Sequence, residues 1–334
     1  MRKLIVILAA AALPVVGLGA WYLTTPPAGS PAIGETVEVV VPAGSGALAI
    51  GRQLHDEGLV RSPRLFAFAA RARGVESQLK AGRYRFTGGM GWDELLDVLA
   101  LGEVVTFPLT VPEGFTVREL APRVAEATGV AVDSVVRLAT DSVFAADLGV
   151  PGPTLEGYLF PETYRFAEGL PPEEILREMV SRYQAFWTAG RRARLDSLEM
   201  DERAIVTLAS IVEEEARVEE ERPVIAGVYA NRLEIGMLLQ ADPTVQYALG
   251  EPKERLLFAD IDRVADDPYN TYTHAGLPPG PISSPGEASL LAALYPADVP
   301  YLFFVARPDG SHEFTRTNRE HVNARNRIRR EQGE

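Results

Sequence analysis

The chain of 334 residues contains no cysteine. That excludes disulfides, thiolate nucleophiles, cysteine-ligated metals and a lipidated N-terminal cysteine together. Histidine is scarce as well: the only four are His55, His274, His312 and His321, and none forms an H-x-x-x-H pair. A histidine-rich metal site is therefore not expected, and no cofactor is expected either. Positive charge is in deficit, with 33 Lys+Arg against 46 Asp+Glu and a formal net charge of −13. Such a balance argues against nucleic acid or anionic lipid as the main partner. Hydrophobic residues at 46% and charged residues at 24% otherwise read as an ordinary globular protein.

Long apolar runs are also missing, with one exception. Arg2 and Lys3 precede an uncharged stretch from Leu4 to Leu23 that ends in Trp21 and Tyr22. Roughly twenty apolar residues span a bilayer as a helix, and the aromatic pair suits the far interface. Residues 1–23 are thus expected to be a cytoplasmic stub and single transmembrane anchor. The positive residues stay inside, which puts the rest of the chain outside the cytoplasmic membrane, in the periplasm or cell exterior. The competing reading is a cleaved signal peptide, for which Leu18-Gly19-Ala20 offers only a weak cleavage site. Residues 24–36, rich in Pro, Gly, Ser and Thr, form a tether.

Beyond the tether the patterning is α+β. Strands are expected at Val37–Val41, Gly82–Phe86 and Val104–Val111, with helices from Ala47, from Phe66 and over Trp92–Leu101 between and after them. Helices are then expected at Val117–Ala127, Val132–Ala139, Glu173–Thr188 and Glu202–Val218. The signal fades into loops after Leu239 until Ala288–Leu294. A hairpin follows, Tyr301–Val305 turning at Pro308-Asp309-Gly310 into His312–Thr315, and a charged helix closes the chain. One echo stands out at a spacing of 70 residues: Val41-Pro42-x-Gly44 and Val111-Pro112-x-Gly114, each at a strand-to-helix junction.

Chemistry could reside in two places. On the helix from Asp201, Ile205, Leu208, Ala209, Val212 and Ala216 make an apolar stripe. At ~100° per residue, Glu214 points away from it, while Glu213 and Glu215 lie on its two flanks. A carboxyl at the edge of a buried stripe can be half-desolvated and hold a proton near neutrality. The bland alternative is a solvated acidic face, since Glu219, Glu220 and Glu221 follow closely. The second place is the loop-rich stretch from Leu239 to Ile282, crowded with Gly, Pro, Asn and aromatics. Rings that stack and amides that answer hydroxyls suit sugars, although a rigid Pro-rich wrapping would look the same.

Six segments in chain order resemble the endolytic murein transglycosylases of the MltG (YceG-like) family: Gly157–Tyr164, Ala209–Glu215, Asn231-Arg232-Leu233, Leu239–Tyr247, Tyr269–Tyr272 and Gly276–Ile282. The resemblance implies a LysM-like α/β module over residues 37–105 and a larger, mostly helical catalytic domain with a β-hairpin over 106–334. It implies that Glu213 is the acid/base and that Gln240, Asp242, Tyr247, Asn270 and Tyr272 line the glycan cleft. It further implies cleavage of the MurNAc–GlcNAc β-1,4 bond within nascent peptidoglycan strands, with peptidoglycan synthases as neighbours. One carboxylic acid suffices if the product is a 1,6-anhydro ring, because no water is consumed. Two alternatives stay open: an ordinary glycoside hydrolase, for which Asp242 and Glu162 would be the further acids, and a membrane-tethered regulator that binds wall without cutting it. A serine hydrolase is disfavoured, as Ser210 lacks the glycines of a nucleophile elbow.

Overall fold

Strand alternation decides the front of the molecule. In β1 (Thr36–Val41) and β2 (Gly82–Thr87) every second residue is apolar, so Val39, Val41, Tyr84 and Phe86 share one buried face. The strands pair antiparallel, with Val39 opposite Tyr84 and Val37 opposite Phe86. Helices α1 (Ala47–Asp56) and α2 (Pro63–Ala72) fill the connection and bury Ile50, Leu54, Phe66 and Ala70. Helix α3 (Trp92–Leu101) adds Leu95, Leu96 and Leu99 and stops at Gly102. Each large apolar side chain so buried contributes about 1.5–3 kcal/mol.

The same order then recurs. Strand β3 (Thr106–Thr110) leads to α4 (Val117–Thr128), α5 (Val132–Ala139), a short α6 (Ser142–Asp147), strand β4 (Thr163–Ala167) and α7 (Pro172–Phe186). The β3–β4 ladder is antiparallel, with Val111 N donating to Glu162 O at 2.9 Å and Glu168 N to Val105 O at 3.0 Å. Tyr164-Arg165-Phe166 in β4 repeats Tyr84-Arg85-Phe86 in β2. Even a side-chain bond is kept: Tyr84 donates to Lys80 O at 2.8 Å and Tyr164 to Phe160 O at 2.6 Å. The spacing is 70 residues at the turn (Val41 to Val111) but 80 at the tyrosines (Tyr84 to Tyr164), so the second copy holds ten extra residues before β4.

This computed structural model describes residue 27, residues 29–251, residue 253 and residues 256–332. The expected anchor at 1–23 lies outside the described residues, as does most of the first half of the tether. Among the described residues no helix is long and apolar enough to cross a membrane. The chain divides into two compact units, one reaching Pro108 and including Arg165–Leu170, the other comprising Leu109–Tyr164 and everything from Pro171. The division falls inside β3 and β4 rather than at a single point.

The second unit is built around α9 (Glu202–Glu215), packed against α10 (Arg222–Glu234) and α13 (Glu287–Leu294). Before it stands α8 (Ala189–Asp196), and the C-terminal part adds the hairpin β5 (Phe303–Ala306) and β6 (His312–Thr315) and helix α14 (Asn318–Glu331). Phe304 lies opposite Phe314 in the hairpin.

The structure corrects the sequence reading in three places. Helix α9 stops at Glu215, where Ala216 turns extended, so Ala216 and Val218 are not helical. The stretch after Leu239 is not all loop: it holds α11 (Asp242–Leu249) and α12 (Phe258–Arg263). An Asp-Pro pair in the first turn is a helix-start signal, and it was outweighed by the polar, Pro-rich context. Strand β4 was hidden behind Pro161; its pairing with β3 and its Tyr-Arg-Phe echo of β2 identify it.

Candidate active site

Three glutamates occupy the last turn of α9, where the helix dipole disfavours negative charge. Asp201 starts that helix by accepting from Ala204 N at 2.8 Å. Its centre is buried and largely apolar, with Ile205, Val206, Leu208, Ala209, Ile211 and Val212 unexposed. Ser210 serves the backbone: it donates to Thr207 O at 2.8 Å and accepts from Ile282 N at 3.0 Å, fastening the Pro-rich loop to the helix. The loop's approach is close. A Cβ on Gly157, whose φ is +84°, would stand 2.3 Å from Pro281, so only glycine fits there.

The three carboxyls meet different surroundings. Glu213 Oε1 accepts from Arg222 Nη2 at 3.0 Å and Oε2 accepts from Gly286 N at 2.9 Å. Arg222 also donates to Ser289 Oγ at 3.0 Å and stands 3.7 Å from Glu113 Oε2. Glu213 therefore ties the end of α9 to the starts of α10 and α13. Glu214 has an exposed stem, but its carboxyl lies against the turn of the second copy: a Cβ on Gly114 would be 2.8 Å from Oε1. Desolvation, reinforced by the charges of Glu213 and Glu119 and opposed by Ser283, lifts its pKa to about 7. That turn is pinned in place by Gly114 N donating to Ser284 O at 2.9 Å and Ser284 N to Phe115 O at 2.8 Å.

Glu215 points the other way. Its Oε1 accepts from the Tyr229 hydroxyl at 2.8 Å, and Oε2 makes no hydrogen bond among the described residues. Burial raises its pKa to about 7; Tyr229 and Arg232 lower it, while Asp242 and Glu214 raise it. Arg232 spends its own donors on Leu302 O and Leu239 O, so it holds the backbone around the site rather than pairing with the acid.

The expected cleft residues separate into two groups. Gln240 is exposed and adopts φ +47°, the one positive value outside glycine among the described residues, a strained geometry typical of functional sites. Asp242 begins α11 and accepts from the Tyr272 hydroxyl, and Tyr247 follows on the same helix. These four side chains reach the surface. Asn270 does not: it is fully buried, donates to Ile261 O and Val264 O at 3.0 Å each, and accepts from Tyr272 N at 3.0 Å. It clasps the loop that presents Tyr272 and has no group left for a ligand. Glu162 is engaged by Arg182 at 2.6 Å on the surface.

Sequence reasoning missed Arg222, Tyr229, Glu113 and Glu156. Glu156 is 8% exposed; it accepts from Val117 N at 3.0 Å and from the Tyr247 hydroxyl at 3.3 Å. A signal for Glu113 was present in the repeated V-P-x-G turn, whose first copy carries Ala43 at that position. Nothing local marked the others, because the contacts that give them their roles are made between separate elements.

Comparison with known proteins identifies the family. The chain is 34% identical over 306 residues to a protein of Bacillus subtilis (strain 168) named endolytic murein transglycosylase, covering 87% of this chain and 84% of that one. It is 30% identical to the protein of the same name from Streptococcus pneumoniae (strain D39), of which it spans 59%. A crystal structure of a putative yceG-like protein from Listeria monocytogenes superposes with a TM-score of 0.60 at 34% identity, covering 87% of this chain and 99% of that one. Residues 39–327 match the YceG-like family. By the extent of that match and of its relatives, the chain belongs to the YceG-like family.

Proposed function

We propose that this protein is an endolytic murein transglycosylase, a lyase that cuts peptidoglycan strands internally. Relatives bearing that name at 30–34% identity support it, as does a helix end whose buried carboxyl Glu215 can hold a proton near neutrality. In the reaction, the acid protonates the glycosidic oxygen of the MurNAc–GlcNAc bond as an oxocarbenium-like centre develops. The resulting carboxylate then takes the proton of the muramyl C6 hydroxyl, which closes a 1,6-anhydro ring. The proton is returned to the enzyme and no water enters.

The family resemblance assigned this role to Glu213, and the surroundings favour its neighbour Glu215. Both Glu213 oxygens already accept hydrogen bonds, from Arg222 and from Gly286 N, and are taken up in fastening the helix end. Glu215 has a free oxygen, a pKa of about 7 and Asp242 close by. Our reading gives proton transfer to Glu215 and anchorage of the helix end to Glu213, with Gln240, Asp242, Tyr247 and Tyr272 meeting the glycan. The observation that carries it is the free, desolvated carboxyl at the end of α9.

Mass spectrometry of digests of uncrosslinked glycan tests the proposal. Wild type should release internal fragments with 1,6-anhydro ends; reducing MurNAc ends would mean hydrolysis. Glu215→Gln should lower turnover by about 10²–10⁴-fold, the usual worth of a general acid, with the fold intact. If Glu213→Gln is dead while Glu215→Gln still cuts, the role belongs to Glu213.

The site of action follows from the N-terminal segment. Arg2, Lys3 and the uncharged Leu4–Leu23 support a single-pass anchor in the cytoplasmic membrane, N-terminus inside and catalytic unit outside. The β-α-α-β order of the first unit supports a LysM-like module. A tethered cutter there would meet new strands beside the synthases that make them.

A further inference from the structure

We infer that Glu156 is a positioning residue which holds Tyr247, and through it Tyr269, as a stacking platform for a sugar ring next to the acid end of α9. The inference rests on the glycan-cutting reading above and adds a subsite to it.

Four observations carry it. First, the rings of Tyr247 and Tyr269 lie 4.8 Å apart, tilted by 45°, and both are only half-buried. A half-exposed pair of rings held at a fixed angle offers a face to the apolar side of a pyranose. Second, the Tyr247 hydroxyl is tied at 3.3 Å to a carboxyl that is itself almost wholly inside the protein. Third, Glu156 is not needed to start α4. That helix already has a full capping box, in which Thr116 Oγ1 accepts from Glu119 N at 3.2 Å and Glu119 accepts from Thr116 N at 2.9 Å. Fourth, counting back from the paired tyrosines, Glu156 corresponds to Glu76 of the first copy, which is spent on a surface ion pair with Arg71 at 2.8 Å. The first copy thus builds the same β-α-α-β unit without turning this carboxyl to a tyrosine, so the fold does not demand that contact.

Position along α11 fits a neighbouring subsite. Asp242 and Tyr247 are five residues apart, roughly 7.5 Å along the axis. The loop 269–272 meets the helix at both points, Tyr272 with Asp242 and Tyr269 with Tyr247. Burial drives the Glu156 pKa up to about 7, against the opposing donors Val117 and Tyr247; Glu119 adds to the rise and Arg118 counters it. The carboxyl is thus adapted to hold a hydroxyl in place rather than to offer a charge.

The test measures KM and kcat on uncrosslinked glycan strands, with melting temperature as a check on folding. Glu156→Leu should raise KM about five- to tenfold with kcat within about twofold, the mark of lost ground-state binding. Glu156→Gln should restore most of the KM, since its amide can serve both Val117 and Tyr247. Tyr247→Phe, which keeps the ring and cannot unfold the site, should raise KM about two- to threefold. A folded Glu156→Leu or a Tyr247→Phe with unchanged KM overturns the inference, as does a fall in kcat alone. If wild type releases no 1,6-anhydro ends, the reading beneath it fails instead. Binding of the same strands to Glu215→Gln carrying Tyr247→Phe then judges the platform separately: weaker binding upholds it, and equal binding sinks it.

Discussion

Residues 36–101 and 106–186 pass through the same strands and helices, keep the same tyrosine-to-carbonyl bond, and share a V-P-x-G turn with φ +77° at its glycine. In the second, the turn brings side chains to the acidic end of α9. In the first copy the turn carries Ala43, and a Cβ on Gly44 would touch nothing within 4 Å. In the second the turn carries Glu113 beside Arg222, and its glycine makes room for Glu214. Glu156, at the position of Glu76 in the first copy, meets Tyr247 where Glu76 meets a surface arginine. The module's framework is unchanged, and the differences sit in its turns and connections, where a rigid scaffold can place chemistry without remaking its core.

The two turn glycines are where the copies should differ most. Both adopt a left-handed conformation, so alanine at either costs about 1–2 kcal/mol of strain. Gly44→Ala should lower the melting temperature and leave turnover alone. Gly114→Ala should do both harms, with turnover down about tenfold as Glu214 and its neighbours are displaced. Equal activity in the two variants would mean that the second turn is as passive as the first.

Titration separates the copies next. In the first, Arg85 and Arg83 hold Glu38 below the ordinary carboxylate range, and Arg71 does the same for Glu76. Their contribution is present above about pH 4.5 and is lost as the pH falls below it. Glu156 in the second copy has the opposite sign. Its pKa is raised from 4.5 to about 7, so its contribution is complete below pH 4.5 and lost as the pH rises to about 7. Melting temperature should therefore decline across that window, and Glu156→Gln should flatten the decline. An unchanged slope would show that Glu156 does not carry a proton in the fold.

The smallest effect is expected from exchanging the turn residues. Glu113→Ala loosens a long ion pair at a half-exposed carboxylate and should cost turnover about two- to fivefold. Ala43→Glu in the first copy should change nothing in the same assay.

Much of this protein is legible in its residues because local periodicity suffices. Val37–Val41 alternates, Trp92–Leu101 ends at a glycine, and Pro308-Asp309-Gly310 turns a hairpin. Strand β4 and helices α10 to α12 were not legible. Their character comes from partners far along the chain, or from prolines that read equally as breakers and as helix starters. Of the residues expected to line the cleft, Gln240, Asp242, Tyr247 and Tyr272 reach the surface, whereas Asn270 shares their motif and serves the backbone instead.

The acidic run shows the division most clearly. Sequence alone determined that a helix from Asp201 carries Glu213 and Glu215 on the two edges of its apolar stripe, equivalent on the wheel and unlike Glu214. Tertiary structure decided what each meets: Arg222 and Gly286 for Glu213, the Gly114 turn for Glu214, and Tyr229 with Asp242 nearby for Glu215. Those partners lie up to about a hundred residues away. A carboxyl's readiness to hold a proton depends on the water and charges around it, which no local pattern encodes.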